Sequence, residues 1–200
     1  MKQNRENPFF ETYRTPFGTP PFDQIETEQY EPVFDEGIRQ LDEEVRAIAD
    51  NTELPTFENT IIALERSGKL LDKVISAFFN VLNAEADDEM MDISQRVSPK
   101  LSESSNNIYL NEQLFARVKS VYDRKDELHL PMEDARLLEK TFEAFCARGA
   151  ALGPEEKEKY RKLSSELSLL SLTFDQNALK DKNRYELLLT KEDELEGLPE

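Results

Sequence analysis

Residues 55–84, PTFENTIIALERSGKLLDKVISAFFNVLNA, constrain the fold of this chain more than any other stretch. Phe57, Ile61 and Leu64 recur at helical spacing, and Leu71, Ile75, Phe78 and Leu82 continue the same stripe. A second row of Leu70, Val74 and Val81, with Phe79 beside it, widens the stripe. One apolar face is enough for a surface helix, so two rows predict a helix contacted from more than one side. Thr56 is placed to cap its N-terminus by accepting from the free N–H groups of the first turn. Gly68 costs about 1 kcal/mol relative to alanine inside a helix, which predicts a kink or break at Ser67-Gly68. At about 1.5 Å per residue the stretch spans on the order of 40 Å, the width of a domain.

The flanking sequence reads as more helices. Residues 1–24 carry Pro8, Pro16, Pro20, Pro21 and Gly18, which predicts an extended arm held to the body by Phe9, Phe10, Phe17 and Phe22. A helix is expected over 31–50, with Pro32 in its first turn and Val33, Phe34, Ile38, Leu41, Val45 and Ile48 inward. Asp87 caps a helix facing inward with Met90, Met91, Ile93, Val97 and Leu101, and Pro99 is expected to bend or split it. A turn is expected at 106–111, after which Asn111 caps a helix using Leu114, Phe115, Val118, Val121 and Tyr122. Pro131 opens another, with Ala135, Leu138, Phe142 and Phe145 inside and Gly149 near its end. Gly153-Pro154 starts the longest periodic pattern, in which Tyr160, Leu163, Leu167, Leu170 and Phe174 keep the rhythm to about residue 182. Tyr185, Leu187 and Leu189 then alternate as a short strand would, near 184–190. The fold class is therefore all-α, a multi-helix domain of antiparallel neighbours with a Pro-rich arm and one short strand. The expected division is an arm over 1–24, a helical domain over 25–183, and the start of a truncated further segment over 184–200.

Charge and chemistry narrow the function. A net charge of −17 excludes the basic density that nucleic acids or anionic membranes require. No run reaches the roughly 20 apolar residues of a membrane span, and the N-terminus has no apolar h-region. A lone Cys146 allows no intrachain disulfide and fits the cytoplasm; beside Phe145 it reads as a small buried hydrophobe. His129, the single histidine, sits in LHLP without a nucleophile beside it and reads as a loop residue rather than a base. One His and one Cys fall short of the N/S ligands that zinc generally takes. The acidic runs Asp42-Glu43-Glu44, Asp87-Asp88-Glu89 and Glu192-Asp193-Glu194 lack the spacing and glycine of a calcium loop. Catalytic, cofactor and metal residues are thus all assigned as none. On these residues alone, an interaction module and a piece of a larger enzyme are equally open.

Several blocks in one order break that tie. FDQI from Phe22, YEPVFDEGI from Tyr30, PTFENTIIALERSG from Pro55, FFNVLNAE from Phe78, IYLNEQLFARV from Ile108, LSLTFDQNAL from Leu170 and the closing ELEGLPE resemble one family. It is the N-terminal region of the thimet-oligopeptidase-like zinc metallopeptidases, in the peptidyl-dipeptidase (dipeptidyl carboxypeptidase) and oligopeptidase A branch. The resemblance implies a cytosolic, mostly helical peptidase whose deep channel admits short peptides. It implies zinc held by an H-E-x-x-H motif and a downstream Glu, all in the C-terminal part of a family chain, with no matching position here. The partners it implies are the C-terminal catalytic region of the same polypeptide and short peptide substrates. Self-association through exposed apolar faces is a further expectation, since faces that pack on that region are left open without it. The competing reading is a stand-alone acidic helical module that binds peptides or proteins.

Overall fold

In the computed structural model, which describes residues 7–85 and 87–188, the chain is helical throughout. In order come α1 (Tyr30–Ala49), a π-helical segment (Phe57–Ile62) that runs into the short α2 (Ala63–Glu65), and α3 (Lys69–Glu85). α4 (Asp88–Tyr109), α5 (Glu112–Tyr122), α6 (Met132–Ala147) and α7 (Pro154–Arg184) follow. The caps are local and sit where the sequence places them. Thr56 Oγ1 accepts from Asn59 N–H at 3.1 Å, Asp87 from Met90 N–H at 2.7 Å, and Asn111 from Leu114 N–H at 2.9 Å.

Two hydrophobic cores share α1. The first joins Phe9 of the arm, Val33 and Phe34 of α1, Val74 and Phe78 of α3, and Ile93 and Val97 of α4. The second joins Val45 and Ile48 of α1, Ile61 of the π-helical segment, Val118 of α5, and Leu138 and Phe145 of α6. The constraining stretch 55–84 serves both, and Gly68 is where it crosses from one to the other. Its φ of +74° is left-handed, its N–H donates to Glu44 Oε2 at 2.8 Å, and an added Cβ would lie 3.1 Å from Leu41 Cδ1. The expected break is therefore a left-handed turn between two helical segments, and no single 40 Å helix forms. At Gly37 the reason is space: a Cβ there would lie 3.0 Å from the Leu71 Cα, so α1 and α3 pack backbone to backbone.

A buried arginine ties the loop after α1 to α5. Arg117 donates to the carbonyls of Asn51 and Glu53 at 2.6 and 2.9 Å, and to Asn59 Oδ1 and Thr60 Oγ1 at 3.0 and 3.3 Å. All four acceptors are neutral, so the guanidinium serves as a fork of donors for a segment whose carbonyls have left the helix.

Four expectations need correction. Of the arm's phenylalanines only Phe9 is buried; Phe10 and Phe22 are about half exposed and Phe17 stands fully in solvent at φ +59°. In its described residues the arm carries single 3-10 turns, Pro8–Phe10, Pro16–Gly18 and Phe22–Gln24, with Glu11, Thr15 and Thr19 extended between them. Lys73 holds it, donating to the carbonyls of Phe9 and Glu11 at 2.7 and 2.6 Å and lying over the Tyr13 ring at 3.8 Å. Of the two outcomes expected at Pro99 the split does not occur: α4 runs through it, with Val97 and Leu101 on either side packed into the same core. The turn expected from 106 is still helix as far as Tyr109, whose ring packs on Phe145 at 5.0 Å while Ile108 joins the second core. Cys146 is exposed: Phe145 takes the inward position, and one residue further is about 100° around the helix. Tyr185 is extended, but residues 185–188 form no strand, since no neighbouring strand is present among the described residues; 189–190 lie outside them.

A polar seam and an open apolar face on the long helix

α7 begins with Pro154 in its first turn and with Gly153 N–H donating to Glu156 Oε2 at 2.8 Å. Glu155 and Glu156 near its start and Lys182 and Arg184 near its end suit the helix dipole. These signals build a long helix without saying which side faces the body. The structure shows an inverted choice. α7 docks on α4 with its polar side and turns its apolar stripe outward.

The docked side is held by side-chain hydrogen bonds. Asn106 Nδ2 donates to Ser164 Oγ at 2.8 Å, Gln176 Nε2 to Ser94 Oγ at 3.1 Å, and Gln95 Nε2 to Gln176 Oε1 at 3.1 Å. Arg161 reaches Asn107 Oδ1 at 2.9 Å, and Lys157 pairs with Glu112 at 3.0 Å. Serines meet along this seam: Ser98, Ser102 and Ser105 of α4 face Ser164, Ser168 and Ser171 of α7, lining a groove of about 470 Å³. A second groove of about 500 Å³, walled by Leu82, Met91 and Leu179, continues it and shares Phe79, Leu172 and Asp175. Both serine rows step by four and then three residues. That shared spacing is the sequence signal for this contact, and reading only the apolar residues missed it.

The flank of α7 about 100° around from its serine row is in water. Leu163, Leu167, Leu170 and Phe174 are 65%, 64%, 61% and 73% exposed. Leu187 and Leu188 just beyond the helix are exposed as well. Phe17, Leu54 and Met132 are isolated exposures of the kind any surface carries. Four large side chains in one line are different. Each forfeits up to about 1.5–3 kcal/mol that full burial would return, and such faces mark interaction surfaces.

The other candidates do not gather into a site. His129 is exposed in the turn before α6, at φ +47°, and lines neither groove. Of the acidic runs, Asp42 accepts from Ser104, Glu43 pairs with Arg39 and Glu44 binds the Gly68 N–H. Asp87 is spent on its cap, and residues 192–194 lie outside the described ones. Among the described residues no three of His, Cys, Asp and Glu are grouped to hold a metal ion, so they do not fit a zinc site. Among the same residues no helix is long and apolar enough to cross a membrane.

The chain matches no protein-family model. It is similar to known proteins over almost its whole length. Dipeptidyl carboxypeptidase of Escherichia coli K12 is 40% identical over 194 residues, 97% of this chain and 28% of that protein. Oligopeptidase A of the same organism is 24% identical over 186 residues, 93% of this chain and 27% of that protein. A thimet-like oligopeptidase of Dictyostelium discoideum is 26% identical over 177 residues, 87% of this chain and 25% of that protein. The chain thus spans about a quarter of the length of each of these relatives.

Proposed function

Because the chain is homologous to the N-terminal region of the thimet-oligopeptidase-like peptidases, dipeptidyl carboxypeptidase and oligopeptidase A among them, we propose that it is the helical N-terminal piece of such a peptidase. The observation that carries this reading is the match over 97% of the chain to 28% of a relative. Residues 25–183 are the helical domain of that piece, residues 1–24 its arm, and residues 184–200 the start of the segment that follows.

Its role is architectural. The helices form one wall of a channel that admits short unfolded peptides and excludes folded proteins, and the reaction is removal of dipeptides from a peptide's C-terminus. Residues of the remaining polypeptide would hold the zinc, whose chemistry there would be Lewis-acid activation of the scissile carbonyl and of water. In this reading the helices of this piece contribute shape to that chemistry. The setting is cytoplasmic, which the lone exposed thiol of Cys146 tolerates.

The test is cleavage of a short fluorogenic peptide. The expected outcome is no turnover by the 200-residue chain and chelator-sensitive turnover by the polypeptide translated from the complete reading frame. Chelator-sensitive cleavage by the 200-residue chain itself would overturn the architectural role. A reading frame that stops at residue 200 would instead favour the stand-alone binding module, whose binding surface would then be the stripe on α7.

A further inference from the structure

The outward stripe of α7 has a spacing as well as an exposure. Leu163, Leu167, Leu170 and Phe174 step by four, three and four residues, with Tyr160 three residues before the first. This is the 3.5-residue seam of a coiled-coil pair, narrower than the broad face a helix turns to a sheet or a mixed core. Knobs at such spacing fit the holes of another helix lying about 20° from parallel or antiparallel. The remaining sides of α7 are already used by α4 or carry charge, as Lys159 and Glu166 do beside the seam. The missing neighbour is therefore helix-shaped and apolar along one line.

Which helix it is follows from charge and length. A second copy would bring another net charge of −17 against the first, and repulsion between such bodies opposes association. The relatives extend to more than three times the matched length, and a segment of the same polypeptide meets the seam at a high effective concentration. The geometry points to an amphipathic helix from the polypeptide beyond residue 200, packed knobs-into-holes on Leu163, Leu167, Leu170 and Phe174. This rests on the peptidase reading, and it adds that α7 is the junction between the N-terminal piece and the remainder, with its apolar side buried there rather than lining the channel.

The test uses the polypeptide translated from the complete reading frame, with benzoylphenylalanine replacing Leu167, irradiated and mapped by mass spectrometry. An intramolecular adduct to a helical segment beyond residue 200 is the expected result. An adduct between two copies makes the stripe a dimer face and overturns the inference. An adduct to an added short peptide makes it channel lining and does the same, as does the absence of any adduct. The pair Leu167→Glu and Leu170→Glu supplies a second readout. It is expected to lower the melting temperature of the longer polypeptide while moving that of the 200-residue chain, where both side chains are already exposed, by no more than about 2 °C. Equal shifts in the two would overturn the inference. Peptide cleavage by the same preparation separates the two claims. An inactive polypeptide with the expected adduct keeps the helix pair and loses the peptidase reading, and an active one without it does the reverse.

Discussion

Arg117 shows how one side chain can hold a loop. Its four neutral acceptors belong to the loop after α1 and to the first turn of the π-helical segment, so removing it strands several polar groups at once. Arg117→Met is expected to cost about 2–4 kcal/mol, read as a lower urea midpoint with an unchanged m-value. A midpoint within error of the wild type would show that water replaces the guanidinium without loss. Glu31 gives a pH counterpart. The Arg96 guanidinium, at 2.9 Å, holds its carboxyl below the usual 4.5, with a smaller contribution from Lys100. A depressed folded value means that the pair stabilises above about pH 4.5 and that this stabilisation is lost as pH falls through the folded value. In Arg96→Gln the Glu31 carboxyl, followed by carbon NMR, is expected to titrate at a higher pH than in the wild type; an unmoved midpoint would place the cause elsewhere. Residue-scale features of this kind were only partly readable. Caps at Thr56, Asp87 and Asn111 depend on neighbours three residues away and are visible in sequence. Arg117, whose partners lie some sixty residues off, is not.

Among the elements, α7 is set apart by how it is attached. The helices of the two cores are joined by buried aliphatic and aromatic side chains, whereas α7 rests on α4 through amides and hydroxyls and on the start of α5 through the Lys157–Glu112 ion pair. A neutral hydrogen bond contributes about 1 kcal/mol net, less than the burial of one large aliphatic or aromatic side chain. Backbone amides of α7 should therefore exchange with solvent well before those of α3 in native-state hydrogen exchange. Equal protection of the two helices would mean that the serine seam is as cohesive as the cores. The same helix explains what periodicity can and cannot reveal. Spacing identified a long helix and its apolar line. It is silent on whether that line meets this domain or another surface, because both give the same 3.6-residue repeat. The turn expected at residue 106 went astray for a related reason: packing of Ile108 and Tyr109 in the second core keeps those residues helical.

On the scale of the whole molecule, the two cores are less independent than their residue lists suggest. α1 contributes its first half to one and its second half to the other, and the stretch 55–84 passes between them at Gly68. Gly37 keys α1 against the backbone of α3, so Gly37→Ala must push the helices apart. The expected result is faster amide exchange in α3 and, through α1, also in α5 and α6. A response confined to α3 would show that the cores are separable.

That key has a mechanical consequence. A 20-residue helix is a strut of about 30 Å. Gly37 against Leu71 leaves α1 no room to slide past α3 without side chains moving, so the strut is keyed at its middle and carries one core on each side of the key. The N-terminal arm, pinned to α3 by Lys73, is tied to the same joint.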